Sequence, residues 1–229
     1  MKSRIVLVLI LALIGLIYYI VYFGNVQRDY TLKLSKAQSW SQVMDSLREY
    51  DVLSSRWTMA SFQRFHTVET VPAGYYKIKR GMSNRELLQK LKYGIQDPIR
   101  YTLSTATFVE EIASRAGDKL SFDSLDLMNY LLADSNQHRM DYTSNTTLCL
   151  FLPNTHELYW TSSPDKFIAK FYKDYQAFWN ENRTSKAQSN GLTPNEVYIL
   201  ASMVQKEYSR KDERIRIAGV LLNRLRLNM

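Results

Sequence analysis

The sequence predicts an α+β protein: an N-terminal transmembrane helix, a small strand-and-helix module, then a mainly helical domain. An uninterrupted apolar run opens the chain, a local pattern of short strand, capping box and amphipathic helix recurs after it, and helical periodicity dominates from Leu120 onward.

The opening run, IVLVLILALIGLIYYIVYF, covers Ile5 to Phe23 and is long enough to cross a bilayer at a helical rise of about 1.5 Å per residue. Tyr18, Tyr19 and Tyr22 gather toward its far end, as in an aromatic belt. FGNVQRDY follows in place of a small-x-small cleavage site, so a retained anchor over 5–23 is expected rather than a removed signal peptide. Lys2 and Arg4 precede the span, whereas Arg28 beyond it is offset by Asp29. The positive-inside rule therefore puts residues 1–4 in the cytoplasm and the body of the chain outside.

In the body, YTLKL is followed by Ser39-Trp40-Ser41-Gln42 and a helix carrying Val43, Met44 and Leu47. GYYKIKRG is followed by Ser83-Asn84-Arg85-Glu86, with Leu87, Leu88 and Leu91 behind it and Gly94 as the stop. With the helical stretch WTMASFQRFH between them, these two units predict an α+β module over 30–97. A third unit, PIRYTL with the box Thr107-Phe108-Val109-Glu110, opens a second domain over 98–229 and puts Ile112 and Ala113 on its buried side. There SFDSLDLMNYLLAD and SPDKFIAKFYKDYQAFWNE read as amphipathic helices, FLPNTHELYW as the loop between them, and NRTSKAQSNG as a linker closing at Gly191. Thr193-Pro194-Asn195-Glu196 then caps a last strong helix, on which Val197, Leu200, Ala201 and Val204 share a face.

Glu207 follows Val204 by three residues and Leu200 by seven, which places it on or at the edge of that apolar stripe. A carboxylate in such surroundings holds its proton more tightly, the state a general acid needs. A salt bridge with Arg210 or Lys211 is the plainer alternative.

Composition narrows the rest. Among 229 residues, 45% are hydrophobic and only 8 are Gly and 5 Pro, which excludes a disordered or fibrous chain. The net charge of +8 is spread without a basic stripe or reading motif, so nucleic acid is not an expected partner. Anionic lipid headgroups or an anionic wall polymer fit better, beside the simpler reading of scattered solubilising charge. Cys149 is the only cysteine, so no internal disulfide can form, and within TLCLFL it reads as a small buried hydrophobe. His66, His138 and His156 are widely separated, so neither a metal site nor a cofactor is expected.

LTPNEVYILASMVQKEYSRKDERIRIAGVLLNRLRLNM resembles the signature of the YceG-like family, the MltG endolytic murein transglycosylases. That signature is an Ala-Ser-hydrophobic-Val-x-Lys-Glu helix, a downstream Glu-Arg, then Ile-Ala-Gly-Val-x-x-Asn-Arg-Leu. FLPNTHELYW is similar to the family's cleft loop, with His156 where Tyr is usual, and AGYYKIKRGMSNRELLQKL is similar to its LysM-like module. Many members carry Glu-Lys-Glu in the helix. Here the first acid is Gln205, which leaves Glu207.

The resemblance implies a lysozyme-like, YceG-like catalytic domain in the bacterial inner membrane with its active body on the outer side. The implied activity is lytic cleavage of the bond between N-acetylmuramic acid and N-acetylglucosamine in nascent peptidoglycan strands. Glu207 is the implied catalytic acid, and Glu213, Asn223, Arg224, Asn154 and Thr155 the implied substrate contacts. Peptidoglycan strands, the cytoplasmic membrane and cell-wall synthesis proteins such as penicillin-binding proteins are the implied partners. Family members continue with a Gln-Ser-Asp-Pro-Thr stretch and further helices, so the catalytic domain is expected to be incomplete at Met229. The rival expectation is a non-catalytic wall-binding or scaffold protein.

Overall fold

The computed structural model describes residues 2–63, 67–207 and 211–229. In chain order its elements are α1 (Lys2–Tyr22), β1 (Tyr30–Leu34), β2 (Gln38–Ser39), α2 (Trp40–Glu49), α3 (Arg56–Gln63), β3 (Thr70–Val71), β4 (Gly74–Ile78), α4 (Asn84–Lys92), β5 (Ile99–Leu103), α5 (Val109–Lys119), α6 (Ser124–Leu132), α7 (Asp134–Met140), a 3-10 turn (Thr147–Leu150), β6 (Asn154–Leu158), α8 (Pro164–Phe178), α9 (Glu181–Gln188), α10 (Pro194–Glu207) and α11 (Lys211–Arg226). Helix dominates, as expected of this α+β chain. Backbone contacts divide it into two units, Met1–Tyr101 with Lys119–Ser121 and Glu157–Ser162, and Thr102–Asp118 with Phe122–His156 and Ser163–Met229.

In the first unit, α1 is exposed from Arg4 to Tyr19, half-buried at Ile20 and Val21, and long and apolar enough to cross a membrane. β1 and β4 pair antiparallel with Leu32 opposite Tyr76, and their alternation turns Leu32, Leu34, Tyr76 and Ile78 inward. β2 and β3 form a second short antiparallel pair. Two reciprocal capping boxes start the helices that cover these strands. Ser39 Oγ accepts from Gln42 N while Gln42 Oε1 accepts from Ser39 N, and Ser83 and Glu86 repeat the arrangement. Val43, Met44 and Leu47 from α2 then join Leu87, Leu88 and Leu91 from α4 in one core. The α4 helix stops at Gly94, whose φ of +61° a side chain would strain. In the expected helix WTMASFQRFH, α3 is formed, and Arg64, Phe65 and His66 lie outside the described residues.

At the exit of α1 the core holds two buried amides. Asn25 Nδ2 donates to Asn84 Oδ1 at 2.7 Å and to Ser55 O at 2.9 Å, while Asn25 Oδ1 accepts from Ser55 N at 2.7 Å. Asn84 Nδ2 in turn donates to Ile20 O at 2.7 Å. Removing one amide strands its buried amide partner and several partly buried backbone groups together, at about 1–3 kcal/mol for each buried group left unsatisfied.

In the second unit Phe167, Ile168 and Phe171 of α8 pack with Leu127 and Leu131 of α6 and with Phe122 and Phe151. Three expectations are corrected here. Asn154–Leu158, read as loop, is a strand paired with β5, and the Thr102 and Thr155 hydroxyls meet at 3.0 Å. The presumed linker NRTSKAQSNG contains α9, because Asn180 Oδ1 accepts from Arg183 N and Ala187 is buried. Finally, α5 begins at Val109, so Glu111 rather than Glu110 reaches back to the amides of Thr107 and Phe108.

Asn25→Ala should lower the stability of the first unit by roughly 2–4 kcal/mol, since Ser55 and Asn84 lose their partners at once. Thermal unfolding of the chain in detergent, beside the exposed control Lys36→Ala, measures it. Equal melting temperatures for the two variants would refute the assignment.

Candidate functional site

The candidate site rests on α10, whose start is fixed locally. Thr193 N and Oγ1 donate to Glu196 Oε2 at 2.7 and 2.8 Å, and Glu196 N donates to Thr193 Oγ1 at 3.3 Å. These bonds hold the Glu196 carboxyl below the usual carboxylate range. At about 100° per residue, the sides of α10 then do different work. Val197 and Leu200 are half-buried and Val204 is buried. Tyr198, Ser202 and Gln205 form a neighbouring row, while Ile199 and Met203 stand exposed.

Glu207 is exposed, against the expectation of an apolar setting. The reason is helical phase. Val197, Leu200 and Val204 make the packed row, whereas Glu207 follows Met203 by four residues on the open flank. Among the described residues Glu207 has no hydrogen bond or ion pair. The expected salt-bridge partner Arg210 lies outside the described residues, as does the Lys211 side chain.

The other candidates are dispersed. Asn154 Nδ2 donates to Asp174 Oδ2 at 2.7 Å and its Oδ1 accepts from Thr155 N at 2.8 Å, so its side chain already serves the strand. Thr155 is taken up by Thr102. Glu213 is half-buried in the first turns of α11, and Asn223 and Arg224 are exposed near its end. Asn154 and Thr155 come together, and no hydrogen bond or ion pair among the described residues joins them to Glu207, Glu213, Asn223 or Arg224.

Two cavities flank α10. One, of about 500 Å³, is walled by Leu152, Trp179, Leu192, Val197, Leu200 and Leu222. The other, of about 230 Å³, lies under the polar row, where Tyr198, Ser202, Gln205 and Lys206 face Ser104, Thr105, Thr107 and Pro153. Its mix of hydroxyls, an amide and an ammonium suits a sugar; the first cavity does not. None of these polar residues was expected from sequence to be a substrate contact: Thr107 was read as a helix cap and Gln205 as the replacement of an acid, although the spacing of 198, 202 and 205 was a readable helical row.

His156 is buried in the middle of β6. Its ring meets Phe171 edge to face at 4.7 Å, and Nε2 stands 3.1 Å from Asp174 Oδ2, off the hydrogen-bonding direction. Burial lowers its pKa from the usual imidazole value; Asp174 opposes this and Lys170 adds to it. Cys149 is buried, as expected, and burial pushes its thiol pKa up to about 11, far from a nucleophile's. No cluster of His, Cys, Asp or Glu among the described residues could hold a metal ion.

These features define a helix-dominated α+β protein with one apolar N-terminal helix and a polar recess beside a capped helix. The YceG-like family pattern matches residues 32–229, and the chain belongs to that family. It is 23% identical over 213 residues to the endolytic murein transglycosylase of Bacillus subtilis (strain 168), covering 86% of this chain and 59% of that protein. It is also 23% identical over 240 residues to the endolytic murein transglycosylase of Streptococcus pneumoniae (strain D39), covering 90% of this chain and 42% of that protein. The chain thus spans about half the length of these relatives. The crystal structure of a YceG-like protein from Listeria monocytogenes aligns over 89% of this chain and 71% of its own, at a TM-score of 0.49 and 17% identity.

A histidine whose folded pKa lies below its unfolded value binds fewer protons in the native state. Its contribution is complete above about pH 6.5 and is lost as pH falls from there toward the folded pKa. The melting temperature should therefore drop between pH 7.5 and 5.5, and His156→Phe should flatten that slope. An unchanged slope in the variant would refute the assignment.

Proposed function

We propose that the protein is a membrane-anchored lytic transglycosylase that cuts nascent peptidoglycan strands between N-acetylmuramic acid and N-acetylglucosamine. The observation that carries this reading is the family match over residues 32–229, together with the relatives' name, endolytic murein transglycosylase. On this reading α1 holds the chain in the inner membrane with its body outside. The strand-cap-helix units over 30–97 act as a LysM-like module that grips glycan weakly, and residues 98–229 carry the chemistry. Penicillin-binding proteins, which supply new strands, are the natural neighbours.

Ordinary glycosidases need two carboxylates, one to protonate the leaving oxygen and one as nucleophile or to activate water. A lytic transglycosylase manages with one, because the sugar's own C6 hydroxyl is the nucleophile and an internal attack carries a large effective molarity. Glu207 protonates the glycosidic oxygen. The C6 hydroxyl attacks the anomeric carbon, the glycosidic bond breaks, and the resulting Glu207 carboxylate takes the hydroxyl proton. The product is a 1,6-anhydro end.

Glu207 is exposed, so its carboxyl is free to meet the substrate. Ile199 and Met203, exposed on the same flank, offer an apolar bed for the sugar ring. Glu213 supports the field around the acid, while Asn223 and Arg224, exposed near the end of α11, hold hydroxyls or the stem-peptide carboxylate.

A non-catalytic wall-binding role is the second reading. It is favoured by Gln205 at the position where many members carry an acid, and by the dispersal of the six candidates among the described contacts.

One experiment separates the two. The purified chain is incubated with isolated glycan strands and the products are examined by mass spectrometry for anhydro ends. Anhydro products should appear and should fall about 10²- to 10⁴-fold in Glu207→Gln at an unchanged melting temperature, with a smaller loss in Glu213→Gln. Wild-type rates in Glu207→Gln would end the single-acid mechanism. Absence of anhydro ends from the unmodified chain, with retention on peptidoglycan, would favour the binding role.

A further inference from the structure

The apolar helix does not lead into a free linker. Ile20 and Val21 pack against the core of the first unit, Asn84 Nδ2 donates to Ile20 O, and Arg85 Nη1 donates to Tyr22 Oη at 2.6 Å. Beside this junction lies a recess of about 300 Å³, bounded by Val21, Phe62, Arg85, Leu88, Lys92 and Tyr93. Val21, Phe62 and Leu88 make an apolar floor. Arg85 and Lys92, seven residues apart on α4, project from one helical face above it.

Neither cation forms an ion pair among the described residues. Lys90, two positions from Lys92, is the one that pairs, with Asp97 at 2.8 Å. Arg85 is steadied instead by neutral groups, since its guanidinium lies 5.5 Å over the Tyr22 ring and bonds the Tyr22 hydroxyl. At the recess, Tyr93 is 67% exposed, as a ring at a membrane–water interface is.

We propose that this recess binds the headgroup phosphate of an anionic glycerophospholipid. The inference rests on reading α1 as a membrane span. That reading places Val21, in the last turn of the span, at the depth where hydrocarbon gives way to headgroups. The phosphodiester lies between Arg85 and Lys92, where a guanidinium fork and an ammonium match its acceptor oxygens. An acyl chain runs over Val21, Phe62 and Leu88, a surface that a free anion would leave unused. The lipid then fixes the α4 face of the first unit to the bilayer surface.

The test uses the purified chain in neutral detergent micelles, titrated with dioctanoyl phosphatidylglycerol, dioctanoyl phosphatidylcholine or glycerol 3-phosphate, with binding read by native mass spectrometry. Saturable binding of the phosphatidylglycerol is expected, with weak binding of the phosphatidylcholine and none of glycerol 3-phosphate. Arg85→Gln with Lys92→Gln should weaken phosphatidylglycerol binding roughly 30-fold. Lys92→Gln alone, which leaves the Arg85–Tyr22 bond in place, should weaken it roughly fivefold at an unchanged melting temperature. Equal binding of the two lipids, or unaltered affinity in Lys92→Gln, overturns the proposal. Glycerol 3-phosphate binding as tightly as the lipid overturns it in favour of a soluble phosphate ester. Carbonate extraction of membranes holding the chain reads the anchor separately. Release by carbonate refutes the membrane span without touching the micelle measurement.

Discussion

A helix of bilayer length ends in carbonyls with no partner in the next turn, and the chain must then turn from apolar to polar surroundings. Here a pair of buried amides makes that turn. Asn84 gives its amide hydrogen to the Ile20 carbonyl, and its own carbonyl oxygen is held by Asn25. Asn25 also clamps the Ser54–Ser55 turn from both sides, through Ser54 Oγ, Ser55 N and Ser55 O. Because Asn84 is the first residue of α4, the same bonds fix the start of that helix and the exit of α1. Glycine makes the approach possible: a Cβ on Gly24 would fall 2.6 Å from Gly81 O. Neither amide is replaceable by an apolar residue of similar size without loss, since each side chain is itself buried and satisfies backbone groups at a partly buried junction.

Local chemistry was legible in the sequence and distant pairing was not. The boxes at Ser39, Ser83 and Thr193 depend on residues three apart, and all three formed where they were read. The β6 strand needed β5, some fifty residues earlier, so nothing near Asn154 announced it. The α9 helix carried a linker's composition. Tertiary contacts outweighed propensity there, with Ala187 buried and the Arg183 guanidinium 4.1 Å over the Phe178 ring. At Glu207 the period was right and the phase was wrong. Spacing of three and seven from two apolar residues admits both the packed row and its open neighbour, and only the burial of Val204 beside an exposed Met203 decides between them.

The same division explains the loop residues. Asn154 and Thr155 were read as sugar contacts through the resemblance of FLPNTHELYW to the family's cleft loop. In a strand they are committed, Asn154 to Asp174 and Thr155 to Thr102. Asp174 thereby carries two tasks, accepting from Asn154 and standing beside the buried His156. What this leaves for a ligand is Pro153 and the helix-borne row of Tyr198, Ser202, Gln205 and Lys206 around the small cavity. A chain with Tyr at position 156 would place a hydroxyl where this one places a titratable ring.

One helix therefore presents several surfaces with separate jobs. The row through Val197 and Val204 anchors α10, and the row through Tyr198 and Gln205 lines a polar recess. The row through Ile199, Met203 and Glu207 stays open. Anchoring matters because a general acid must be held to within a fraction of an ångström while remaining reachable, and a side chain on a packed helix meets both demands. Openness has its own consequence: the carboxyl at the end of the third row can be approached from solvent, while the packed row behind it cannot.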